Sequence, residues 1–151
     1  MTKKILWIDS RNSETKAYRQ KLTDRGYKVD NVEDCYDALE KLSSNYDSIV
    51  LNPYFLTLGT ETRKIHPDAP SVIINSRKDF WDNGLWLYKK IRSGENTKTK
   101  LFLLPIARLE NNPMIREIDN LTSKDENFCG IFSAIDILPE ELARTLEERL
   151  R

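Results

Sequence analysis

The sequence predicts an α/β fold: a doubly wound five-stranded parallel sheet with helices on both faces, and an insertion after the third strand. Short apolar runs alternate with segments of helical periodicity over the first 52 residues. These runs are continuously apolar, which is typical of strands buried on both faces of a sheet. The connections between them are short, and this β-α-β-α-β order favours parallel strands joined by right-handed crossovers.

The first half of the chain carries three of the predicted strands. The first is Lys4–Ile8, and the helix after it has Ser10 and Asn12 as candidate N-caps. Gly26 is predicted to end this helix, because glycine is favoured at the position just after a helix C-terminus. A weaker strand, a second helix and the third strand are predicted at 27–29, 34–42 and 46–51.

The second half continues the alternation after a long interval. A helix, a strand, a helix and a strand are predicted at 83–93, 101–104, 113–121 and 128–135. Pro139 then suits the first turn of a final helix, in which Glu140 and Glu141 favour the positive helix end.

Residues 53–82 form the most individual segment. It is turn-rich and contains Phe55, Phe80 and Trp81, and Ser71–Ile74 is a candidate strand. Long connections in compact domains are usually functional or disordered, and these aromatic side chains argue against disorder. We expect an ordered insertion, either a lid over the edge of the sheet or a surface for a partner.

A second strand assignment is open at this point. Residues 66–76 supply the fourth strand in it, 101–105 become the fifth, and the last strand and helix are extensions. The first assignment is preferred because the helical patterns at 83–93 and from Pro139 onward then take ordinary places in the fold.

Length and charge limit the class of protein. The 151 residues are the size of one domain, and 24 basic residues balance 24 acidic ones. Zero net charge argues against direct nucleic-acid binding. No apolar stretch approaches a membrane span, so the sequence predicts a cytoplasmic protein without membrane association. Cys35 and Cys129 are expected to be buried free thiols.

Two polar residues follow predicted strands. Asp9 comes directly after the first strand and Asn52 directly after the third. Because the carboxyl ends of parallel strands share one edge of a sheet, these side chains are expected to lie on the same rim, where ligands of such folds bind.

With these features in place, the chain resembles a response-regulator receiver domain, a flavodoxin-like fold. The segments KILWIDS, NGLWLYKKIRS and LPEELARTLEERL are similar to its first strand, third helix and last helix, and the matches cover most of 3–51 and 83–151. The resemblance implies one receiver-like domain over 1–151, with 53–82 inserted in it.

The resemblance also implies a phosphoacceptor pocket that this chain has in degenerate form. The family places two acids after strand one, an aspartate after strand three, a hydroxyl residue after strand four and a lysine after strand five. Here the first acid is present and the other positions are changed. The corresponding residues are Asp9, Ser10, Asn52, Pro105 and, within the lysine-free stretch 133–136, Ala134.

These changes bear on the chemistry together. Mg²⁺ prefers several anionic oxygen ligands, and only Asp9 is left to supply them. An amide oxygen such as that of Asn52 is a far weaker nucleophile than a carboxylate. We therefore expect a pseudo-receiver with no catalytic residue, cofactor or metal, in which Asn52 bonds Asp9 or Ser10 and locks the rim.

The function expected from this reading is that of a phosphorylation-independent signalling adaptor. Its partner would be a protein, namely a signalling kinase, regulator or effector, and the resemblance places the contact face in 105–151, with homodimerisation through the final helix as a further expectation. Two alternatives stay open. One is a phosphorylatable regulator with atypical or engineered Asp→Asn residues. The other is a small α/β enzyme, although the single histidine, His66, has no evident partner in sequence.

Overall fold

The computed structural model describes residues 2–55, 58–70, 77–94 and 98–151. Five parallel strands form one sheet in the order β2-β1-β3-β4-β5. The predicted fold class is confirmed. The strands are β1 (Lys4–Ile8), β2 (Lys28–Val32), β3 (Ser48–Leu51), β4 (Lys100–Leu103) and β5 (Phe128–Ile131).

Six α-helices accompany the sheet within the described residues. They are α1 (Lys16–Asp24), α2 (Cys35–Lys41), α3 (Thr60–Ile65), α4 (Arg77–Ser93), α5 (Met114–Thr122) and α6 (Pro139–Arg149). None of the helices that the structure describes is both long and apolar enough to cross a membrane.

The sheet is covered on both faces, which is what its continuously apolar strands require. On one face, Trp7 and Phe102 pack with α1 and α6 around Leu146. On the other face, Leu6 and Leu103 belong to a larger core with residues of α2, α4 and α5. Successive strand residues therefore point into two separate cores.

Helix ends follow the sequence signals in part. Gly26 follows α1 with φ 92°, and the Asp34 carboxylate caps α2 by accepting from the Asp37 N–H at 2.7 Å. The predicted caps Ser10 and Asn12 are wrong. A 3₁₀ turn over Asn12–Thr15 precedes α1, neither helix start has a side-chain cap, and the Asn12 amide binds Glu33 instead.

The described part of 53–82 is packed into the protein. Phe55, Leu58, Ala69 and Trp81 are all buried in the core on the α2–α4–α5 face. The structure adds the short helix α3, which the sequence analysis missed. Helix α4 also begins six residues before the predicted position, so its first turns belong to this segment. The candidate strand Ser71–Ile74 lies outside the described residues.

The alternative strand assignment is wrong. It requires another strand between β3 and the strand at 100–103, yet β3 pairs directly with β4. The segment 128–131 then pairs with the other side of β4 and is the fifth strand.

A close backbone contact fixes how the chain leaves β3. A Cβ atom on Gly84 would lie 1.9 Å from the carbonyl oxygen of Pro53, so only glycine fits there. Next to it, Asn83 donates from Nδ2 to the carbonyl of Phe55 at 3.2 Å, and the Phe55 N–H donates to the Phe80 carbonyl. Helix α4 is thereby held against the segment that follows Asn52.

A largely buried ion pair holds the opposite end of α4. Arg92 donates from Nε to Asp125 at 2.7 Å, and the two side chains are only 13% and 12% exposed. The other guanidinium nitrogens donate to the carbonyls of Thr99 and Asn127. Burial alone would raise the pKa of Asp125, but hydrogen bonds from Tyr88 and Arg92 outweigh it and lower the pKa.

Replacing Gly84 with alanine should destabilise the fold strongly. The added methyl group meets backbone that cannot move independently, so we expect the free energy of unfolding to fall by about 3 kcal/mol or more. Urea denaturation measures the change. Gly94→Ala is the matched control, because its Cβ would meet no atom closer than 3.6 Å. Equal midpoints for the two variants would contradict the close contact.

Replacing Arg92 with methionine should lower the free energy of unfolding by about 3 kcal/mol or more, because the Asp125 carboxylate is then left without its cation. Thermal and urea unfolding measure the loss. Lys78→Met removes the exposed pair with Asp82 and should leave stability unchanged. The pair would have no structural role if both variants unfolded at the wild-type midpoint.

Candidate functional site

Asp9 is the centre of the polar network at the carboxyl edge of the sheet. It follows β1 and is 1% exposed, so its carboxylate depends on protein donors. Its Oδ1 accepts from the Arg11 N–H at 2.8 Å and from Asn52 Nδ2 at 3.0 Å. Its Oδ2 accepts from the Thr15 hydroxyl at 2.6 Å. Both carboxylate oxygens are therefore engaged within the chain.

Asn52 uses both ends of its amide. The side chain is 2% exposed at the end of β3. Its NH₂ group donates to Asp9, and its oxygen accepts from the Tyr54 N–H at 3.0 Å. These two contacts set the orientation of the amide. The hydrogen bond between Asn52 and Asp9 is one of the two partnerships considered from the sequence.

A cation on α1 completes the network. Arg19 donates from Nη1 to the Thr15 hydroxyl at 2.8 Å, one bond away from the Asp9 carboxylate. Burial lowers the pKa of Arg19, while the negative charges of Asp9 and Glu33 act to raise it. An arginine remains protonated under such shifts. Arg19 therefore supplies a positive charge that reaches Asp9 through the Thr15 hydroxyl.

The other predicted pocket residues lie at the same edge. The Ser10 hydroxyl is 3.5 Å from the carbonyl of Tyr54, a long hydrogen bond. The carbonyl of Pro105, after β4, accepts from the N–H of Ala134, after β5, at 2.9 Å. The structure therefore joins Asp9 to Asn52 and Pro105 to Ala134. Their equivalence to phosphoacceptor-pocket positions stays a prediction.

The donor set at this edge does not suit Mg²⁺. Such an ion needs several oxygen ligands, commonly from more than one carboxylate. Within the described ranges, no three His, Cys, Asp or Glu side chains are grouped so that they could hold a metal ion. Asp9 would also have to exchange bonds that it already makes with Asn52 and Thr15. The Asp9 carboxylate is therefore engaged in hydrogen bonds within the chain, an arrangement that does not suit an ion site.

Thr15 and Arg19 were missed by the sequence analysis. Their spacing is i, i+4, which places both side chains on one face at the start of α1. Thr15 is also six residues after Asp9, close enough for the turn between them to bring the hydroxyl back to the strand end. A buried threonine cannot be told from an exposed one by this spacing alone.

Asn52→Asp should destabilise the protein in the absence of divalent cations. The substitution removes a donor and places a second buried carboxylate about 3 Å from Asp9. We expect the free energy of unfolding to fall by about 2–4 kcal/mol in EDTA. Millimolar Mg²⁺ should restore part of the lost stability, because the two adjacent carboxylates can then both ligate the cation. Thermal unfolding in EDTA and in Mg²⁺ measures both effects.

The control for this variant is Asn45→Asp, which adds the same charge at an exposed loop position. Its stability should match that of the wild type in both buffers. If Asn52→Asp were as stable as the wild type in EDTA, the hydrogen bond to Asp9 would not contribute to the stability of the rim.

Comparison with known proteins places the fold. No protein-family model matches the sequence, and no curated protein matches it. Many solved structures do. A CheY-like receiver domain protein from Methanospirillum hungatei is 16% identical, with 99% of this chain and 94% of that chain covered, at a TM-score of 0.65.

Two further structures agree with it. The chemotaxis response regulator CheY4 of Vibrio cholerae is 19% identical, with 99% of both chains covered, at a TM-score of 0.63. TrrA of Thermotoga maritima, in complex with Mg²⁺-BeF, is 19% identical, with 98% of this chain and 99% of that chain covered, at a TM-score of 0.62. The chain therefore has the CheY-like fold of response-regulator receiver domains.

Proposed function

We propose that this chain is a phosphorylation-independent signalling adaptor, a pseudo-receiver that acts through protein–protein contacts. The receiver fold is a fold of signalling domains, and fold alone does not specify the input. The observation that carries the proposal is the buried amide of Asn52, which donates to Asp9 where the receiver resemblance expects a phosphoacceptor carboxylate.

The chemistry of the rim supports this proposal. An amide at position 52 cannot form the acyl phosphate that a carboxylate forms. Asp9 already accepts three hydrogen bonds from protein groups. Ala134 brings no charge to the end of β5, so a transferred phosphoryl group would lack a lysine at that position. All three features act against the same reaction.

The proposed contact face lies in 105–151 and includes α5, β5 and α6. On α6, Glu140 and Glu147 both pair with Arg25, which packs α6 against α1. Glu141, Arg144 and Glu148 are exposed. Their spacing places them on one face of α6, which is the surface that a second copy or another protein would meet. Mixed charges there favour a polar, reversible contact.

The two alternative functions have less support. A phosphorylatable regulator would have to replace the bonds between Asp9, Thr15 and Asn52 with metal and phosphoryl contacts. A small enzyme would need a nucleophile with a base, and the ring of His66 packs edge-on to Trp86 with ring centroids 5.8 Å apart.

Amide NMR spectra test the proposal directly. The wild-type protein should show no saturable shifts at the rim when millimolar Mg²⁺ and then beryllofluoride are added, because Asn52 offers no carboxylate to either. After incubation with acetyl phosphate, intact-mass spectrometry should show no phosphoryl group added to the wild-type protein. Saturable shifts around Asp9 and Asn52, or a phosphorylated mass, would overturn phosphorylation independence.

A matched variant supplies the positive control. Ser10→Asp combined with Asn52→Asp places three carboxylates at the ends of β1 and β3, and should gain a saturable Mg²⁺ response. That response would show that the wild-type rim is silent because of its side chains and not because of its backbone.

A further inference from the structure

A cleft of about 390 Å³ lies beside the Asp9 network. It is bounded by the segments that follow four different strands, through Arg11, Tyr54, Ile106, Arg108 and Ile135. Its volume is in the range of small-molecule sites. Crevices at the carboxyl ends of parallel strands are the usual position for ligands in such folds. None of the five predicted pocket residues lines it, so the cleft adjoins the Asp9 network without including it.

The charged groups that line the cleft are both arginines. Arg11 donates from Nε and Nη2 to the same oxygen of Glu14. Arg108 is exposed and makes no ion pair with any residue that the structure describes. Among the residues that the structure describes, no carboxylate lines the cleft. A planar guanidinium matches phosphate, sulfonate and carboxylate groups, so the cleft is suited to an anion.

The rest of the lining is apolar or aromatic. Tyr54 stacks on Phe80 with ring centroids 4.6 Å apart and meets Trp81 edge-on at 6.0 Å, so its ring is held in place. Ile135 is 52% exposed, which is unusual for a large aliphatic side chain among the described residues. An apolar body resting on Tyr54 and Ile135 would remove this surface from water.

The loop that carries Arg108 is held in a defined shape. Asn112 donates from Nδ2 to the Arg108 carbonyl and accepts from the Met114 N–H, both at 3.0 Å. Asn111 beside it has φ 58°, a left-handed conformation that asparagine tolerates better than most residues. The loop is therefore ordered before any ligand binds, which reduces the entropy lost on binding.

We propose that this cleft binds a small organic anion with an apolar ring system. Its charged group contacts Arg11 and Arg108, and its rings pack on Tyr54 and Ile135. A small molecule suits the cleft better than a protein segment because the space is concave and bounded on four sides by loops. The inference stands whether or not the chain is independent of phosphorylation, since neither Asp9 nor Asn52 takes part.

The test uses 1-naphthyl phosphate and its uncharged analogue, 1-naphthol, in amide NMR titrations. The phosphate should shift the signals of Tyr54, Arg108 and the Trp81 indole saturably, and should bind at least about tenfold more tightly than naphthol. Inorganic phosphate alone should bind more weakly than 1-naphthyl phosphate, because it lacks the rings.

Arg108→Gln tests the role of the cation. This substitution should weaken the binding of 1-naphthyl phosphate at least about tenfold and leave the affinity for 1-naphthol unchanged. Arg116→Gln is the matched control, because Arg116 is an exposed arginine on α5 that does not line the cleft. Equal affinity for the two naphthyl probes, unchanged binding by Arg108→Gln, or shifts confined to another surface would each overturn the proposal. The Mg²⁺ and beryllofluoride titrations do not depend on any of these outcomes.

Discussion

The buried carboxylate of Asp9 is the constraint around which the edge of the sheet is arranged. A charge that is 1% exposed must be met by donors, and here they come from three places: the turn after β1, the start of α1 and the end of β3. Each of these contacts fixes the position of a different segment. Thr15 sets where α1 begins, and Asn52 sets how the chain leaves β3.

The long connection after β3 depends on the same arrangement. Asn52 accepts from the Tyr54 N–H, and Pro53 lies directly against Gly84. Tyr54 then stacks on Phe80 of α4. The hydrogen bonds at the rim and the packing of α4 are consequently parts of one structure. A change in the rim hydrogen bonds should alter the packing of α4, and the reverse, because the two are connected through Pro53 and Tyr54.

Much of the fold could be predicted because its signals are local. Continuous apolar runs located β1, β3 and β4 to within about two residues, and a carboxyl-edge position for Asp9 and Asn52 follows from parallel pairing alone. The resemblance to receiver domains was sound as to fold. Strand β2 was placed less well, since it lies at an edge of the sheet and is only partly buried.

The site was less predictable because its partners meet through tertiary structure. Whether Asn52 would bond Asp9 or Ser10 depended on the side-chain directions at two strand ends. The roles of Thr15 and Arg19 depended on a 3₁₀ turn that replaced the expected capped helix start. Helix α3 has only six residues, too few for helical periodicity to be read from the sequence.

The amide of Asn52 also bears on how such a sequence can change over generations. One nucleotide-level step from asparagine to aspartate would place an acid at position 52, in a site where Asp9 is already buried and hydrogen-bonded. The intermediate would carry two adjacent charges without the additional acid that makes a good cation site. A cation site there would therefore require further substitutions, and the protein with the single change would be less stable than the present one. Once the amide is in place, the physics of the buried pair tends to preserve it.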